Sequence, residues 1–183
     1  MAWKGPYTMV LIDGTPIVSR LSTVYGLMGI PTSMIERVEV VKGPASSLYG
    51  SEAVGGLINV ITKNPDLAPS LTADVMATSW QEFNVDLGLK NKVGKNASVL
   101  TGINLYDYAN PIDNNGDNFT DVTLQERASI FQKWNLSQND RIFTLAGRYF
   151  YEDRAGVVKC SGSPKIVVVM MFMAKVSLPN AGN

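Results

Sequence analysis

Residues 83–90, "FNVDLGLK", alternate without a break. Phe83, Val85, Leu87 and Leu89 fall on one side of an extended chain, and Asn84, Asp86, Gly88 and Lys90 on the other. A helix would spread these residues around its circumference. Only a strand, with its period of two, sorts them into one apolar and one polar face. The same sorting recurs downstream. Leu71, Ala73, Val75 and Ala77 share a side in "LTADVMAT", and Val99, Ile103 and Leu105 share one in "ASVLTGINLYDY". Ala128, Ile130, Trp134 and Leu136 oppose Arg127, Ser129, Lys133 and Asn135. Phe143, Leu145, Gly147, Tyr149 and Tyr151 oppose Thr144, Ala146 and Arg148.

Five such strands would run up and down in turn. "SWQE", "VGKN" and "QND" are tight connections, whereas "ANPIDNNGDNFTDV" is long. "VGKN" and "QND" fall on one side of the sheet and the long loop on the other. Short turns on one side and longer loops on the other suit an outer-membrane barrel. Trp80, Phe83, Tyr106, Tyr108, Trp134, Tyr149 and Tyr151 lie near strand ends, where interfacial aromatic girdles sit. A soluble antiparallel sheet with one face on a core has the same periodicity, so alternation alone leaves both readings open.

Charged residues make up 17% of the chain, against about 25% in soluble domains. Sixteen basic residues balance sixteen acidic ones, so there is no basic excess for nucleic acid. Histidine is absent, which excludes Ser-His-Asp and Cys-His catalysis. Cys160 has no intrachain disulfide partner. The N-terminus lacks the basic start and apolar core of a signal peptide. No run reaches the roughly 18 apolar residues of a membrane helix.

Residues 1–70 have a different texture. "YTMVLI" (7–12) reads as a buried strand stopped by Asp13-Gly14. "PTSMIERVEVVKG" reads as a helical turn capped by Thr32 or Ser33, with Glu36 completing a capping box, then a strand from Val38 to Val41 ended by Gly43-Pro44. "ASSLYGSEA" suits one or two helical turns, "LINVIT" (57–62) a strand, and "KNPDLAPS" a linker. "GSEAVGGL" has the glycine spacing of a phosphate loop, but Gly56-Leu57 stand where Lys-Ser/Thr is needed.

Taken together, "VLIDGTPI" and "IERVEVVKGPASSLYGSEAVGGLINVITKNP" resemble the second half of the plug domain of TonB-dependent outer-membrane receptors. The following strands resemble the start of the barrel of siderophore- and colicin-receptor-like members. The resemblance implies an α+β plug fragment followed by antiparallel β-strands of an incomplete transmembrane β-barrel. It implies energised uptake of a ferric siderophore or cobalamin-like ligand, TonB as partner through a segment missing here, contact with outer-membrane lipid, and an outer-membrane location. The alternative is a soluble α+β ligand-binding or enzymatic domain. The residues that carry the plug motif are Asp13, Gly14, Glu36, Arg37, Glu39, Lys42, Gly43, Pro44, Tyr49, Gly50, Gly55, Gly56 and Asn59. Small residues would let a plug pack closely inside a barrel, and Glu36, Arg37, Glu39 and Lys42 would offer charge pairs to a polar lumen. The expected divisions are plug over 1–66, about five barrel strands over 67–154, and a tail over 155–183.

Two further stretches stand apart. Asp113, Asn115, Asp117 and Asp121 have the relative spacing 1, 3, 5 and 9 of a calcium loop, with Asn118 in place of glycine at position 6 and Leu124 in place of the bidentate Glu at position 12. Weak calcium binding and a solvated turn are the two readings; no other cofactor is expected. Glu152-Asp153 reads as a solvated rim. Residues 155–183 lose the alternation. Codons permitted there, read two bases later, encode an aromatic-rich string resembling the family's next strand, so an out-of-frame, non-native tail is expected. An apolar C-terminal strand, "KIVVVMMFM", is the alternative.

Overall fold

A computed structural model describes residues 8–16, 27, 29–43, 53, 55–138, 141–157 and 171–177. The chain forms two compact units: one holds residues 1–30 and 34–64, the other residues 31–33 and 65–183.

The described part of the first unit is a mixed sheet in the order β2-β1-β4-β3. β1 is Thr8–Ile12, β2 is Thr15–Pro16, β3 is Ile35–Lys42 and β4 is Gly56–Thr62. β1 runs parallel to β4, and β3 runs antiparallel to it. Leu11 and Ile12 are fully buried, with Val10, Leu57 and Val60 close behind. Each such side chain contributes about 1.5–3 kcal/mol on leaving water. The reversal between β1 and β2 is set by Asp13-Gly14. Both residues have positive φ, 49° and 78°, which is the conformation of the tightest hairpin turn and the reason for the Asp-Gly pair.

The second unit is a six-stranded antiparallel sheet in the order β10-β9-β8-β7-β6-β5. β5 is Leu71–Ala77, β6 is Glu82–Val93, β7 is Ala97–Tyr108, β8 is Phe119–Gln138, β9 is Arg141–Val157 and β10 is Met171–Ser177. Its faces are inverted relative to a soluble sheet. Asp86, Asn104, Ser129, Arg148 and Glu152 are buried, whereas Val75, Phe83, Ile130, Leu145 and Tyr149 are exposed. Leu100, Tyr108, Phe131 and Phe150 are large apolar or aromatic side chains that join the buried polar face. From Phe83 to Val93 is ten residue steps, about 33 Å along the strand. At the usual tilt of about 45° this gives a height of about 23 Å, close to the ~25 Å apolar band of an outer-membrane barrel.

Two expectations need correction. Residues 32–34 form a 3-10 turn that passes directly into β3, without the extra residues a capping box requires. Glu152 is no rim residue: it is only 2% exposed, because period two turns it to the buried face beside Arg127 in register. Apart from these corrections, strand structure is present past residue 154. β9 reaches Val157, and Met171–Ser177 pairs antiparallel with Ile142–Arg148. Ala174 and Val176 there fall opposite Leu145 and Phe143 in register. The turns expected over 45–53 lie outside the described residues, Ala53 excepted.

Gly56 joins β4 to β3 under a tight constraint. Its φ is +122°, and an added Cβ would lie 2.4 Å from the Val41 carbonyl oxygen. Gly14, at φ +78°, has nothing within 4 Å of such a Cβ. Gly14→Ala is expected to cost about 1 kcal/mol and Gly56→Ala about 3 kcal/mol or more. Urea-unfolding midpoints of the detergent-refolded chain check this; equal losses at the two positions would refute it.

Candidate functional site

The motif residues of the first unit form one connected chain of contacts. Asp13 leaves β1 facing the end of β4, where Thr62 donates its amide (2.8 Å) and its hydroxyl (2.6 Å) to the two carboxylate oxygens. The Gly14 amide donates to Asn59 Oδ1 at 3.0 Å. Asn59 Nδ2 donates to Glu39 Oε2 at 3.2 Å. Glu39 accepts from Arg37 Nε at 3.0 Å, and Arg37 Nη1 reaches Glu36 Oε1 at 3.0 Å. Asp13, Gly14, Asn59, Glu39, Arg37 and Glu36 are thus linked across all three longer strands. Arg37 and its partners are about half exposed, so these ion pairs add little stability; they hold the guanidinium in place. Lys42 is exposed at the end of β3, opposite Gly56 in register. Gly43 follows it at φ +96°, and Gly55 is exposed. Pro44, Tyr49 and Gly50 lie outside the described residues.

Thr62 is absent from the residues singled out by sequence. So are two aspartates of the second unit that hold non-strand segments to its polar face. Asp86, 1% exposed, accepts the amides of Thr32 at 2.7 Å and Ser33 at 2.9 Å. Ser33 Oγ donates to the Leu87 carbonyl at 3.1 Å. Gly88 leaves room for this approach, since a Cβ there would lie 2.9 Å from Ser33 Cβ. The N-terminal amides of the 32–34 turn are therefore capped by a carboxylate more than 50 residues away, not by Thr32, Ser33 or Glu36. Asn104 Nδ2 braces the group, donating to Asn84 Oδ1 at 2.8 Å and lying 3.4 Å from Asp86 Oδ2.

Asp66 holds the linker. Its carboxylate accepts from Ser98 Oγ at 2.5 Å and Asn135 Nδ2 at 3.0 Å. Lys90 Nζ donates to the carbonyls of Asp66 (2.6 Å) and Ala68 (3.1 Å). Burial alone would raise the Asp66 pKa, but the bonds from Ser98 and Asn135 and the charges of Lys90 and Lys92 outweigh it, leaving the pKa below its ordinary 3.8. Farther along the same face, Tyr106 donates to Glu82 at 3.0 Å, Arg127 stacks over the Tyr106 ring at 4.7 Å, and Glu152 accepts from Gln125 and Arg154.

The Asp-rich loop is folded on itself. Asp113 accepts the amides of Gly116 (2.7 Å) and Asn118 (3.0 Å). Asp117 accepts that of Phe119 (2.8 Å), Asn115 that of Asp117 (3.0 Å), and Asp121 accepts from Asn114. Asn118 takes φ 67°, the left-handed conformation that asparagine tolerates. Among the described residues no group of three or more acidic or other metal-ligating side chains is placed to hold an ion. The loop's carboxylates and amides serve as turn formers.

With this geometry in place, the chain can be compared with known proteins. Residues 3–57 match the family model described as TonB-dependent Receptor Plug Domain. It is 44% identical over 68 residues to "Ferric enterobactin receptor PirA" of Pseudomonas aeruginosa, a match covering 32% of this chain and 9% of that protein. It is 38% identical over 101 residues to "Probable TonB-dependent siderophore receptor PirA" of Acinetobacter baumannii, covering 50% of this chain and 13% of that protein. The chain thus spans about a tenth of the length of these curated relatives. In fold it resembles the crystal structure of the siderophore receptor PirA from Acinetobacter baumannii (TM-score 0.66, 23% identity, 83% of this chain and 25% of that one). It also resembles the ferric-catecholate import receptor Fiu from E. coli K12 (TM-score 0.61, 20% identity, 81% and 21%).

Two outcomes are expected. Asp86→Ala removes hydrogen bonds to a charged acceptor worth about 1.5–3 kcal/mol each, so the Thr32 and Ser33 amides should exchange with solvent about 10–100-fold faster while the Ile103 amide is unchanged. Asp86→Asn, with one acceptor oxygen, should retain protection at one of the two. Uniform loss of protection would mean global unfolding and not loss of a local cap. For Asp66 the lowered folded-state pKa means its stabilisation is present above about pH 4 and is lost as the pH falls through the folded value. The gap in unfolding midpoint between the chain and Asp66→Asn should therefore close on going from pH 6 to pH 3. A constant gap would show that the carboxylate charge is irrelevant.

Proposed function

We propose that this chain is part of an outer-membrane receptor that takes up a ferric siderophore, or a similarly scarce ligand, driven by TonB. The observation that carries the reading is the inverted sheet, with its polar face buried and its apolar face exposed. A soluble ligand-binding domain would bury Phe83 and Leu89, yet Phe83 is 53% exposed and Leu89 37%. A sheet of this polarity belongs between lipid and an aqueous interior.

In this reading the first unit is plug material and the second is early barrel wall. The polar face lines the lumen, and Asp86 and Asp66 hold the turn at 32–33 and the linker at 66–68 against it. The names of the relatives, ferric enterobactin and siderophore receptors, favour an iron chelate as ligand. The work required is binding and displacement; no bond of the ligand need change.

In cells producing the protein that carries this chain, antibodies against residues 65–138 should recover it in the outer-membrane fraction. Deleting its gene should abolish growth on one ferric siderophore as iron source. Recovery in the cytosol would overturn the assignment.

A further inference from the structure

We propose that the short-turn rim of the six-stranded sheet is a seat for the headgroup of an anionic phospholipid. The proposal rests on reading the sheet as a membrane wall and adds to it a site of defined chemistry. The last row of the apolar face is Val93, Ala97, Leu136 and Phe143, consecutive in register across β6 to β9. These side chains form one wall of an open groove of ≈ 760 Å³, whose other lining includes Lys95, Asn96 and Gln138. Arg141 pairs with Gln138 in register at the far side. Lys95 and Arg141 are exposed, and neither is in an ion pair among the described residues. They stand about two strand spacings apart, roughly 10 Å, so side chains of their length can reach one headgroup.

The opposite end of the same face has the opposite sign. There Asp107, Glu126 and Asp153 fall in one cross-strand row. The apolar band is therefore acidic at its long-loop end and basic at its short-turn end. Lys95 and Arg141 complement a phosphate, Asn96 and Gln138 can donate to glycerol or ester oxygens, and Val93, Leu136 and Phe143 take the first methylenes of the acyl chains. Free phosphate would use only the cations. A phospholipid uses the cations, the amides and the apolar row together, which is why lipid is the occupant.

Flotation of the full chain with phosphatidylcholine vesicles, with or without one quarter phosphatidylglycerol, tests this. Each cation near an anionic surface is worth about fivefold in binding, and so the pair about 25-fold. Lys95→Gln with Arg141→Gln should erase the preference for phosphatidylglycerol by about that factor and leave binding to phosphatidylcholine alone unchanged. Lys175→Gln, a charge change at the same end but outside the groove, should change the preference less than twofold. Failure to float with either vesicle would overturn the membrane-wall reading itself. Flotation with an undiminished preference in the double variant would overturn only the seat, as would an equal effect of Lys175→Gln. Displacement by inorganic phosphate, beyond that of chloride at equal ionic strength, would assign the site to free anions and also overturn it.

Discussion

The structure depends on one inversion: a sheet that buries its polar side and exposes its apolar side. In water such a sheet would be driven to turn over or aggregate, since burial of apolar area is the main favourable term in folding. In a bilayer the same sheet is at rest on its apolar face, provided every backbone group is paired. Within the second unit the inner strands satisfy that condition through continuous ladders, twelve register pairs between β6 and β7 alone. The buried polar face then becomes a place where other segments of chain can be held by hydrogen bonds instead of by hydrophobic contact.

Aspartate does that holding twice, with Asp66 and Asp86, and Asp13 makes a similar bond inside the first sheet. Asp13, Asp66 and Asp86 each use both carboxylate oxygens on donors that are distant in sequence. A short acidic side chain suits the task, because it can accept two bonds close to the strand and pairs strongly with backbone N–H groups. Asp86 does for the 32–34 turn what an N-cap residue does for a helix, from another strand. Gly88, two residues on along the same face, supplies the clearance. Residues 31–33 and 65–68 both belong to the second unit, and each is held there by one of these aspartates.

How much of this was legible follows from the range of each interaction. The alternation of "FNVDLGLK" specified the faces of β6 residue by residue, because side-chain direction in a strand is a local property. Asp13-Gly14 announced its turn for the same reason. Asp86 and Asp66 looked like ordinary polar-face and linker residues, since their partners lie more than 30 positions away. Ser33 and Glu36 carried a local capping signature that the tertiary cap displaced. Glu152 was read from its neighbour Asp153 and its place near a strand end, although its parity with Arg148 already pointed inward. Past residue 154 the pattern is weak, and the apolar run "KIVVVMMFM" overlaps β10 only at Met171–Met173.

From sequence alone came strand identity, the two-faced character of the wall, the Asp-Gly turn and the membership of the motif residues in one segment. Backbone sterics and side-chain periodicity act over a few residues, so they can be read in order along the chain. Which face is buried, which carboxylate caps which amide, and where cations gather at the end of the apolar band were decided only in the folded chain. Those features depend on register between strands and on contacts across long sequence gaps, and no local pattern encodes them.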